Sequence, residues 1–390
     1  MATTRATPPS VAALRFDGTA LWAIDQTGLP WEERRLALRS AEDVAAAIRR
    51  LAIRGAPLIG VAAAYGVVLE LSRDPSLETL EQACELLRNA RPTAVNLAWA
   101  VDRMHEVVRN HHQSGDELIN AALGEARRID AEEEAASNAI AAHGADLLAG
   151  ARRILTHCNT GALAAPGRGT ALAVIAELAE RGSLEGVLAT ESRPLLQGAR
   201  LTAYELARLG IPHELIVDSA AAGLIASGAV DAVIVGCDRV AANGDVANKV
   251  GTYGLALAAH AAGIPFVVAG PTSTIDLNTP DGAHIAIEER DPEEVTSAAG
   301  KRLTLEGTRC RNPAFDVTPA ALVSALVTER GIVQAPSADA LAAHHTTGRE
   351  PHNPSGRESH NLSGRESHNP SGRERNNPCG RKPHNPSGRG

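Results

Sequence analysis

The chain has 390 residues, enough for two or three domains with sizeable cores. Its formal net charge is −8, and because the segment from residue 344 onward is basic, residues 1–343 carry −12. A body this acidic argues against nucleic acid as a partner, although a local basic pocket can still bind an anion. The sequence has neither a membrane-spanning apolar run nor a signal-peptide pattern, and its five cysteines are widely spaced. These features predict a cytoplasmic protein without a membrane partner, a disulfide framework or a zinc site.

Short apolar runs separated by turn signals predict small strands in residues 11–40. From residue 40 to residue 149 the apolar spacing is helical. Ser40 is a candidate N-cap, because Glu42 and Asp43 follow it in the first turn. Further helices are predicted at 57–72, 76–89, 93–112 and 115–149. We expect the last of them to connect two domains.

From residue 152 the pattern changes, and apolar strand-like runs alternate with helical stretches. Strands are predicted at 154–158, 186–190, 214–217, 231–236 and 264–269. Helices are predicted at 169–181, 195–209, 219–227, 246–262 and 319–330. This alternation predicts a doubly wound, mainly parallel Rossmann-like sheet with helices on both faces. The expected fold class is therefore α/β, with a smaller, mostly helical domain at 1–149 and a Rossmann-like catalytic domain at 150–335.

The C-terminal segment differs in composition from the rest of the chain. Residues 348–390 repeat an eight-residue unit built from Gly, Arg, Glu, His, Asn, Pro and Ser. Such a segment has almost no apolar side chains to bury, so it cannot offset the entropy lost on ordering. We predict a disordered low-complexity tail at 336–390.

Two side chains follow buried strands and lead into turns rich in Gly and Asn. Cys158 follows the run 154–157, and Asp238 follows the run 232–237. Strand C-termini in an α/β fold open onto the ligand crevice, where a thiol and a carboxylate can move a proton on a small polar substrate. Cys158 is expected beside a helix start, whose N–H groups favour the thiolate, and Asp238 is expected to have a raised pKa. The alternatives are a buried core cysteine and an aspartate that caps a helix or pairs with Arg239.

Three basic residues are candidates for binding an anion. Arg54 and Arg91 each lie at a sharp break before a predicted helix, and a guanidinium beside free helix N–H groups suits phosphate. Lys249 lies near a predicted helix start, where a cation is unfavourable unless it has a ligand. Each of the three, taken alone, is also consistent with an ordinary surface cation. The polar segment 191–198 follows another strand end and adds side chains to the same crevice.

Taken together, five ordered blocks between residues 12 and 333 resemble the methylthioribose-1-phosphate isomerases. These enzymes belong to a superfamily that also contains the regulatory subunits of initiation factor 2B and ribose-1,5-bisphosphate isomerase. The blocks are Arg54–Gly60, Arg91–Leu97, Thr156–Ala164, Glu191–Pro194 with Gln197–Thr202, and Gly236–Gly254. The sequence departs from the usual family pattern at Leu58, and also at Cys237, in whose place family members usually have alanine.

The resemblance implies an aldose–ketose isomerase that converts 5-methylthioribose 1-phosphate to 5-methylthioribulose 1-phosphate in methionine salvage, as a homodimer. It implies Cys158 and Asp238 as the catalytic pair, with no metal or nucleotide cofactor required. The substrate contacts that it implies are Arg54, Gly55, Ala56, Arg91, Gln197, Asn248 and Lys249.

Two alternatives remain open at this point. A related isomerase would act on ribose 1,5-bisphosphate or 5-deoxyribose 1-phosphate, and the bisphosphate would need a second cationic cluster, whereas the sequence shows one convincing set. A non-catalytic regulatory module like the initiation-factor subunits need not keep both Cys158 and Asp238. The sequence also leaves open whether hydrogen moves as a proton or as a hydride.

Overall fold

The fold begins with a small antiparallel sheet. Strands β1 (Leu14–Phe16), β2 (Leu21–Ile24) and β3 (Arg35–Leu38) pair in sequence order, as predicted for residues 11–40. The computed structural model describes residues 11–110, 115–298 and 300–346. The octapeptide repeats and the disorder predicted for them lie outside the described residues.

Five helices follow the first sheet. They are α1 (Ala41–Arg49), α2 (Ala56–Leu71), α3 (Leu77–Arg88), α4 (Val95–Arg109) and α5 (Gly115–Leu147). Ser40 caps α1 as predicted, because its hydroxyl accepts a hydrogen bond from the Asp43 backbone N–H at 3.1 Å. Apart from Glu70 in its last turn, α2 carries no charged side chain, and all its residues except Ala56 and Glu70 are buried, so the other helices pack around it.

The elements after α5 alternate between strands and helices. In chain order they are β4 (Arg153–Thr156), α6 (Ala171–Glu180), β5 (Gly186–Thr190), α7 (Ala203–Leu209), β6 (His213–Ile216), α8 (Ala221–Ala226), β7 (Ala232–Val235), β8 (Arg239–Ala241), β9 (Val246–Lys249), α9 (Thr252–Ala262), β10 (Phe266–Ala269), β11 (Ile275–Asp276), α10 (Glu293–Thr296), β12 (Ser297–Ala298), β13 (Lys301–Arg302), β14 (Phe315–Thr318), β15 (Ala325–Thr328), β16 (Gly331–Gln334) and α11 (Ala338–Thr346). A π-helical turn over Gly198–Thr202 leads into α7.

Seven of these strands form one twisted sheet in the order β16-β15-β10-β7-β4-β5-β6. All neighbours are parallel except the edge strand β16, which runs antiparallel to β15. Alternate side chains of β4 and β7 point to opposite faces: Ile154 and Ile234 pack into one hydrophobic cluster, and Leu155 and Val233 into another. The sheet is therefore covered on both faces, which confirms the predicted doubly wound α/β fold class.

The predicted helix at 246–262 is wrong in its first third. Residues 246–249 form β9, which pairs with β8 and β14 in a small sheet of order β11-β8-β9-β14, and the helix α9 starts only at Thr252. The turn between β8 and β9 contains Asn243 and Gly244, and Gly244 has a φ of 91°. Asn-Gly is a hairpin signal, so the strand was recoverable from the sequence.

The C-terminal part of the predicted domain also differs from expectation. The run predicted as a helix at 319–330 instead contains β15 and the beginning of the turn to β16. A short buried apolar run cannot be assigned by periodicity alone, and here the free edge of β10 supplies backbone partners for a strand. The prediction of a disordered tail from residue 336 is wrong for residues 338–346, which form α11, and its Leu341 is fully buried against β16 and its neighbours.

The described residues form one compact unit with more than one hydrophobic core. The cluster of the N-terminal half takes all but two of its buried residues from positions 13–129, and two further clusters flank the large sheet. Helix α5 contributes to both halves, as expected of a connector, while the domain boundary at residue 150 stays a prediction. Among the described residues, no helix combines the length and apolar character needed to cross a membrane.

Candidate active site

The candidate site lies where the strand order of the large sheet changes direction. From the neighbouring strands β4 and β7 the chain proceeds toward opposite edges of the sheet, so their carboxyl ends frame the crevice of the fold. Thr156 pairs with Ile234 in register, which places Cys158 and Asp238 just beyond the ends of these two adjacent strands. Both side chains line the same pocket.

The backbone of Cys158 is held in an unusual conformation. Its φ is 64°, in the left-handed region that costs a non-glycine residue about 1–3 kcal/mol. The Cys158 N–H donates to Ser192 Oγ at 2.8 Å, and its carbonyl accepts from Thr202 Oγ1 at 2.5 Å. The expectation of a helix start at this point is wrong, since the next helix, α6, begins only at Ala171. The positive neighbours of the thiol are therefore side chains, not helix N–H groups.

Asp238 is placed as a proton donor. Burial raises its pKa, against the opposing effect of the charges on Lys249, Arg91 and Arg54. The alternative reading as the partner of Arg239 is not what the structure shows, because that guanidinium pairs with Asp276 at 3.4 Å. The Asp238 carboxyl is thus free to face the pocket, and burial favours its protonated form.

Arg54 is fixed by a buried network at the junction before α2. Its Nε donates to Gln26 Oε1 at 3.0 Å, and its terminal nitrogens donate to the side chain and the backbone carbonyl of Asn159. Asn159 in turn donates to Glu205 Oε1 at 2.7 Å. Gly55 follows with a φ of 101°, and a Cβ there would collide with the Ala164 carbonyl. The segment Arg54–Ala56 can therefore pack this closely against the Ala164 backbone only because residue 55 is glycine.

Lys249 and Asn248 enter the pocket from β9. Both are buried; Lys249 Nζ donates to the Ala314 carbonyl at 3.0 Å and lies 5.3 Å from the centroid of the Phe315 ring. Asn248 Nδ2 donates to Thr252 Oγ1 at 2.9 Å. Burial lowers the pKa of Lys249, while its neighbours Cys158 and Asp238 oppose the shift. A cation next to both candidate catalytic groups is suited to an anionic ligand.

Arg91 and Gln197, two further residues predicted to contact the substrate, each have a buried polar atom with no hydrogen-bond partner among the described residues. A terminal nitrogen of Arg91 donates a hydrogen bond to Glu288 at 2.6 Å, but the Nε of Arg91 has no hydrogen-bond acceptor among those residues. Gln197 Oε1 is also unsatisfied. Buried polar groups are rarely left without hydrogen bonds, and both residues line the pocket, so these atoms are available to a bound molecule.

All nine residues singled out from the sequence line this one pocket. The sequence analysis did not find Arg290, which also lines it and pairs with Glu288 at 2.8 Å, the same carboxylate that holds Arg91. The segment around Arg290 is rich in mixed charges and has the pattern of a solvated face, so only its fold brings it to the pocket. The pocket thus joins a thiol, a carboxylic acid and several cations, an arrangement suited to proton transfer on a small anion.

Comparison with known proteins shows the family to which this chain belongs. A family model described as the initiation factor 2 subunit family matches residues 52–335. The chain belongs to this family. A solved structure titled as the translation initiation factor eIF-2B, subunit delta, from A. fulgidus is 37% identical, covers 85% of this chain and 100% of its own, and has a TM-score of 0.75.

Within the family, several relatives are named as enzymes. The methylthioribose-1-phosphate isomerase of Anaeromyxobacter sp. (strain K) is 55% identical over 319 residues, 82% of this chain and 92% of that protein. That of Syntrophotalea carbinolica is 50% identical over 83% of this chain and 96% of its own. The crystal structure of 5-methylthioribose 1-phosphate isomerase from Pyrococcus horikoshii OT3 is 40% identical, covers 88% of this chain and 99% of its own, and has a TM-score of 0.81. These relatives confirm the resemblance found in the sequence.

Proposed function

We propose that this chain is an aldose–ketose isomerase that converts 5-methylthioribose 1-phosphate to 5-methylthioribulose 1-phosphate in methionine salvage. The observation that carries the proposal is the single pocket in which Cys158 and Asp238 meet the cations Arg54, Arg91 and Lys249. A phosphate monoester is the kind of anion that such a set of charged donors binds. The names of the relatives supply the identity of the sugar.

The substrate sets a particular chemical problem. Its anomeric carbon carries the phosphate, so the ring cannot open to a free aldehyde as in ordinary aldose isomerases. The ring C–O bond has to break with the phosphate still on C1, and hydrogen then has to move from C2 to C1. The reaction needs an acid near the ring oxygen and a second group near C2, and the pocket offers Asp238 and Cys158.

In the mechanism we propose, the protonated Asp238 donates to the ring oxygen as its bond to C1 breaks. Cys158, as thiolate, removes the proton from C2, and the electron pair forms the C1–C2 double bond of a phosphoenol. The Asp238 carboxylate then accepts the proton of the C2 hydroxyl as the carbonyl forms, while Cys158 returns a proton to C1. Both groups end in their starting states, and the positive side chains of Arg54, Arg91 and Lys249 hold the phosphate throughout.

Solvent isotope exchange tests the route of the hydrogen. Turnover in D₂O is expected to give product with deuterium at C1, because the proton that Cys158 takes from C2 can exchange with solvent while the phosphoenol is bound. Product formed without deuterium would mean that the C2 hydrogen reaches C1 without solvent exchange, as a direct hydride shift requires.

A panel of 1-phosphorylated pentoses that differ at C5 tests the substrate. The 5-methylthio sugar is expected to have the highest kcat/KM, followed by the 5-deoxy and 5-hydroxy compounds. Preference for ribose 1,5-bisphosphate would assign the chain to the related isomerase instead. Binding without turnover of any member would favour the non-catalytic regulatory module.

We also propose that the protein is a cytoplasmic homodimer. One of the two edge strands of the large sheet, β6, has no partner strand on its outer side among the described residues, and the apolar side chains Leu215 and Val217, at and beside it, are 50% and 54% exposed. Such an edge favours association unless it is covered. Light scattering during size-exclusion chromatography is expected to give twice the chain mass for the wild type and a lower mass for Leu215→Lys. A monomeric wild-type protein would contradict the proposal.

A further inference from the structure

A second pocket adjoins the candidate active site and is dominated by arginine. The two pockets share a wall formed by Leu51, Arg54, Leu195, Gln197 and Arg290. Of the charged residues that line the second pocket, five are basic and one, Glu294, is acidic. The basic ones are Arg49, Arg50, Arg54, Arg200 and Arg290, and we call this the arginine pocket.

The carboxylates near the arginine pocket are too few for its cations. Asp25 is fully buried and is shared between Arg34 at 2.7 Å and Arg50 at 3.2 Å. Glu288 is also shared, between Arg91 and Arg290, but Arg290 pairs with Glu294 as well, so these two arginines have two carboxylates between them and the surplus comes from the Asp25 group. When one carboxylate neutralises two guanidinium groups, a positive surplus remains, and this surplus lies beside a pocket large enough for a small ligand.

Arg200 adds a charge that no carboxylate of the described residues pairs with. Its guanidinium donates only to backbone carbonyls, those of Gln26 at 2.6 Å, Thr27 at 3.0 Å, Leu29 at 3.1 Å and Leu195 at 3.3 Å. Burial lowers the pKa of Arg200, and the positive charge of Arg54 lowers it further. An anion in the arginine pocket would relieve this repulsion.

The arginines of the pocket differ in their exposure to solvent. The side chains of Arg49 and Arg50 are 43% and 46% exposed, whereas Arg54, in the shared wall, is only 9% exposed. The positive charge therefore extends from the surface to the wall of the candidate active site. On a body of net charge −12, which repels anions, such a local path raises the rate at which an anionic ligand arrives.

We propose that the arginine pocket is a docking subsite for the phosphate group, at which a phosphate monoester is held before it moves into the candidate active site. The identity of that monoester rests on the proposed function, but the subsite itself requires only a phosphate dianion. Arg50 shares its carboxylate with Arg34, and Arg200 has none among the described residues; such guanidinium groups suit phosphate, because arginine can bind two of its oxygens at once.

The double variant Arg49→Gln/Arg50→Gln removes the two exposed charges of the pocket. The matched control Arg39→Gln/Arg73→Gln also removes two exposed arginine charges from the first part of the chain, but neither residue lines the arginine pocket. In calorimetric titration with inorganic phosphate, the wild type and the control are expected to bind two phosphates per chain, and the pocket variant one. Equal stoichiometry in the pocket variant and the control would overturn the proposal.

Kinetics with 5-methylthioribose 1-phosphate give a second readout. At low ionic strength the pocket variant is expected to lose about tenfold in kcat/KM, a loss that shrinks as salt screens the charges, while the control keeps the wild-type value. A loss that persists at high salt and is specific to ribose 1,5-bisphosphate would show instead that the pocket holds a second substrate phosphate.

If no sugar phosphate is turned over, the proposed function fails, and the phosphate titration still decides the subsite. If the double variant does not fold, Arg49→Gln alone serves, because Arg49 is exposed and its one ion pair within the described part of the chain is with exposed Glu42.

Discussion

At the residue scale, Cys158 and Asp238 owe their chemistry to different physical causes. Cys158 is presented by a strained backbone that Ser192 and Thr202 hold in place, so its position is fixed before any ligand arrives. Burial raises the pKa of Asp238 and so favours its protonated form, although three cations oppose the shift. One residue is therefore specified by geometry and the other by its dielectric environment.

Removal of either group is expected to slow turnover without unfolding the protein. We expect Cys158→Ala and Asp238→Asn each to lower kcat by at least about a hundredfold, the usual contribution of a positioned acid or base. Cys237→Ala is the matched control, because that thiol neighbours Asp238 but hydrogen-bonds Thr274 at 3.3 Å. It is expected to stay near the wild-type rate. Near wild-type turnover in Cys158→Ala or Asp238→Asn would remove that residue from the mechanism.

The buried carboxyl of Glu133 is expected to make the stability of the folded protein depend on pH. Burial raises the pKa of Glu133 to about 7, with help from Glu329 and Glu132, although Ser273 donates to it at 3.2 Å. A carboxyl with a higher pKa in the folded than in the unfolded chain stabilises fully below the unfolded value of 4.5, and this stability is lost as the pH rises through about 7. Glu133→Gln is therefore expected to raise the Tm at pH 8.5 and to change it little at pH 5. An equal shift at both pH values would contradict this account.

The candidate site was more predictable than its surroundings. Cys158, Asp238, Arg54, Arg91 and Lys249 follow short local signals, such as a polar residue after an apolar run or an arginine before a helix, whereas the other four residues were assigned as substrate contacts only through the family resemblance. Arg290 and the arginine pocket gave no such signal, because distant segments bring those charges together: Arg200 follows β5, while Arg49 ends α1. A charge that has a role only through tertiary contacts looks like any other surface charge in the sequence.

At the element scale, strands were predicted where the apolar run was long and isolated. The runs of β4, β5, β7 and β10 lie within about two residues of the predicted bounds, since no helix competes for them. The sequence interpretation failed at β9 and β15, both alanine- and valine-containing runs beside helical stretches. In each case a neighbouring strand with a free edge decided the structure, and local propensity cannot report such a partner.

Helix α11 is the element with the most direct test. Leu341 is fully buried, and Thr328 Oγ1 lies 2.7 Å from His344 Nε2. Truncation after Ser337 removes both contacts, and the loss of one buried leucine alone costs roughly 1.5–3 kcal/mol. We expect this variant to melt at least about 3 °C below the full-length protein in thermal unfolding.

Truncation after Thr346 is the control, since it keeps α11 and removes the repeats. It is expected to retain the Tm and the kcat/KM of the full-length chain, as the composition of the repeats predicts. A similar loss of stability in both truncations would show that the repeats, and not α11, stabilise the body.

At the scale of the whole molecule, charge is distributed unevenly. The globular part is strongly acidic, yet the cations of the candidate site and of the arginine pocket are concentrated in the wall that the two pockets share and on its two sides. A uniform surface of the same net charge would repel a sugar phosphate from every direction. Local concentration of arginine allows an acidic protein to accept an anionic substrate.

Helix α5 has a consequence for how the protein comes apart. It is 33 residues long, about 50 Å, and its two ends belong to different cores: Ala122 and Ile129 pack in the N-terminal cluster, while Ile140 and Ala145 pack beneath the large sheet. If either core unfolds, half of helix α5 loses the side chains against which it packs. We therefore expect the two halves to unfold together, as one heat-absorption peak in scanning calorimetry. A destabilising substitution at either end of α5 is expected to lower the Tm of both halves.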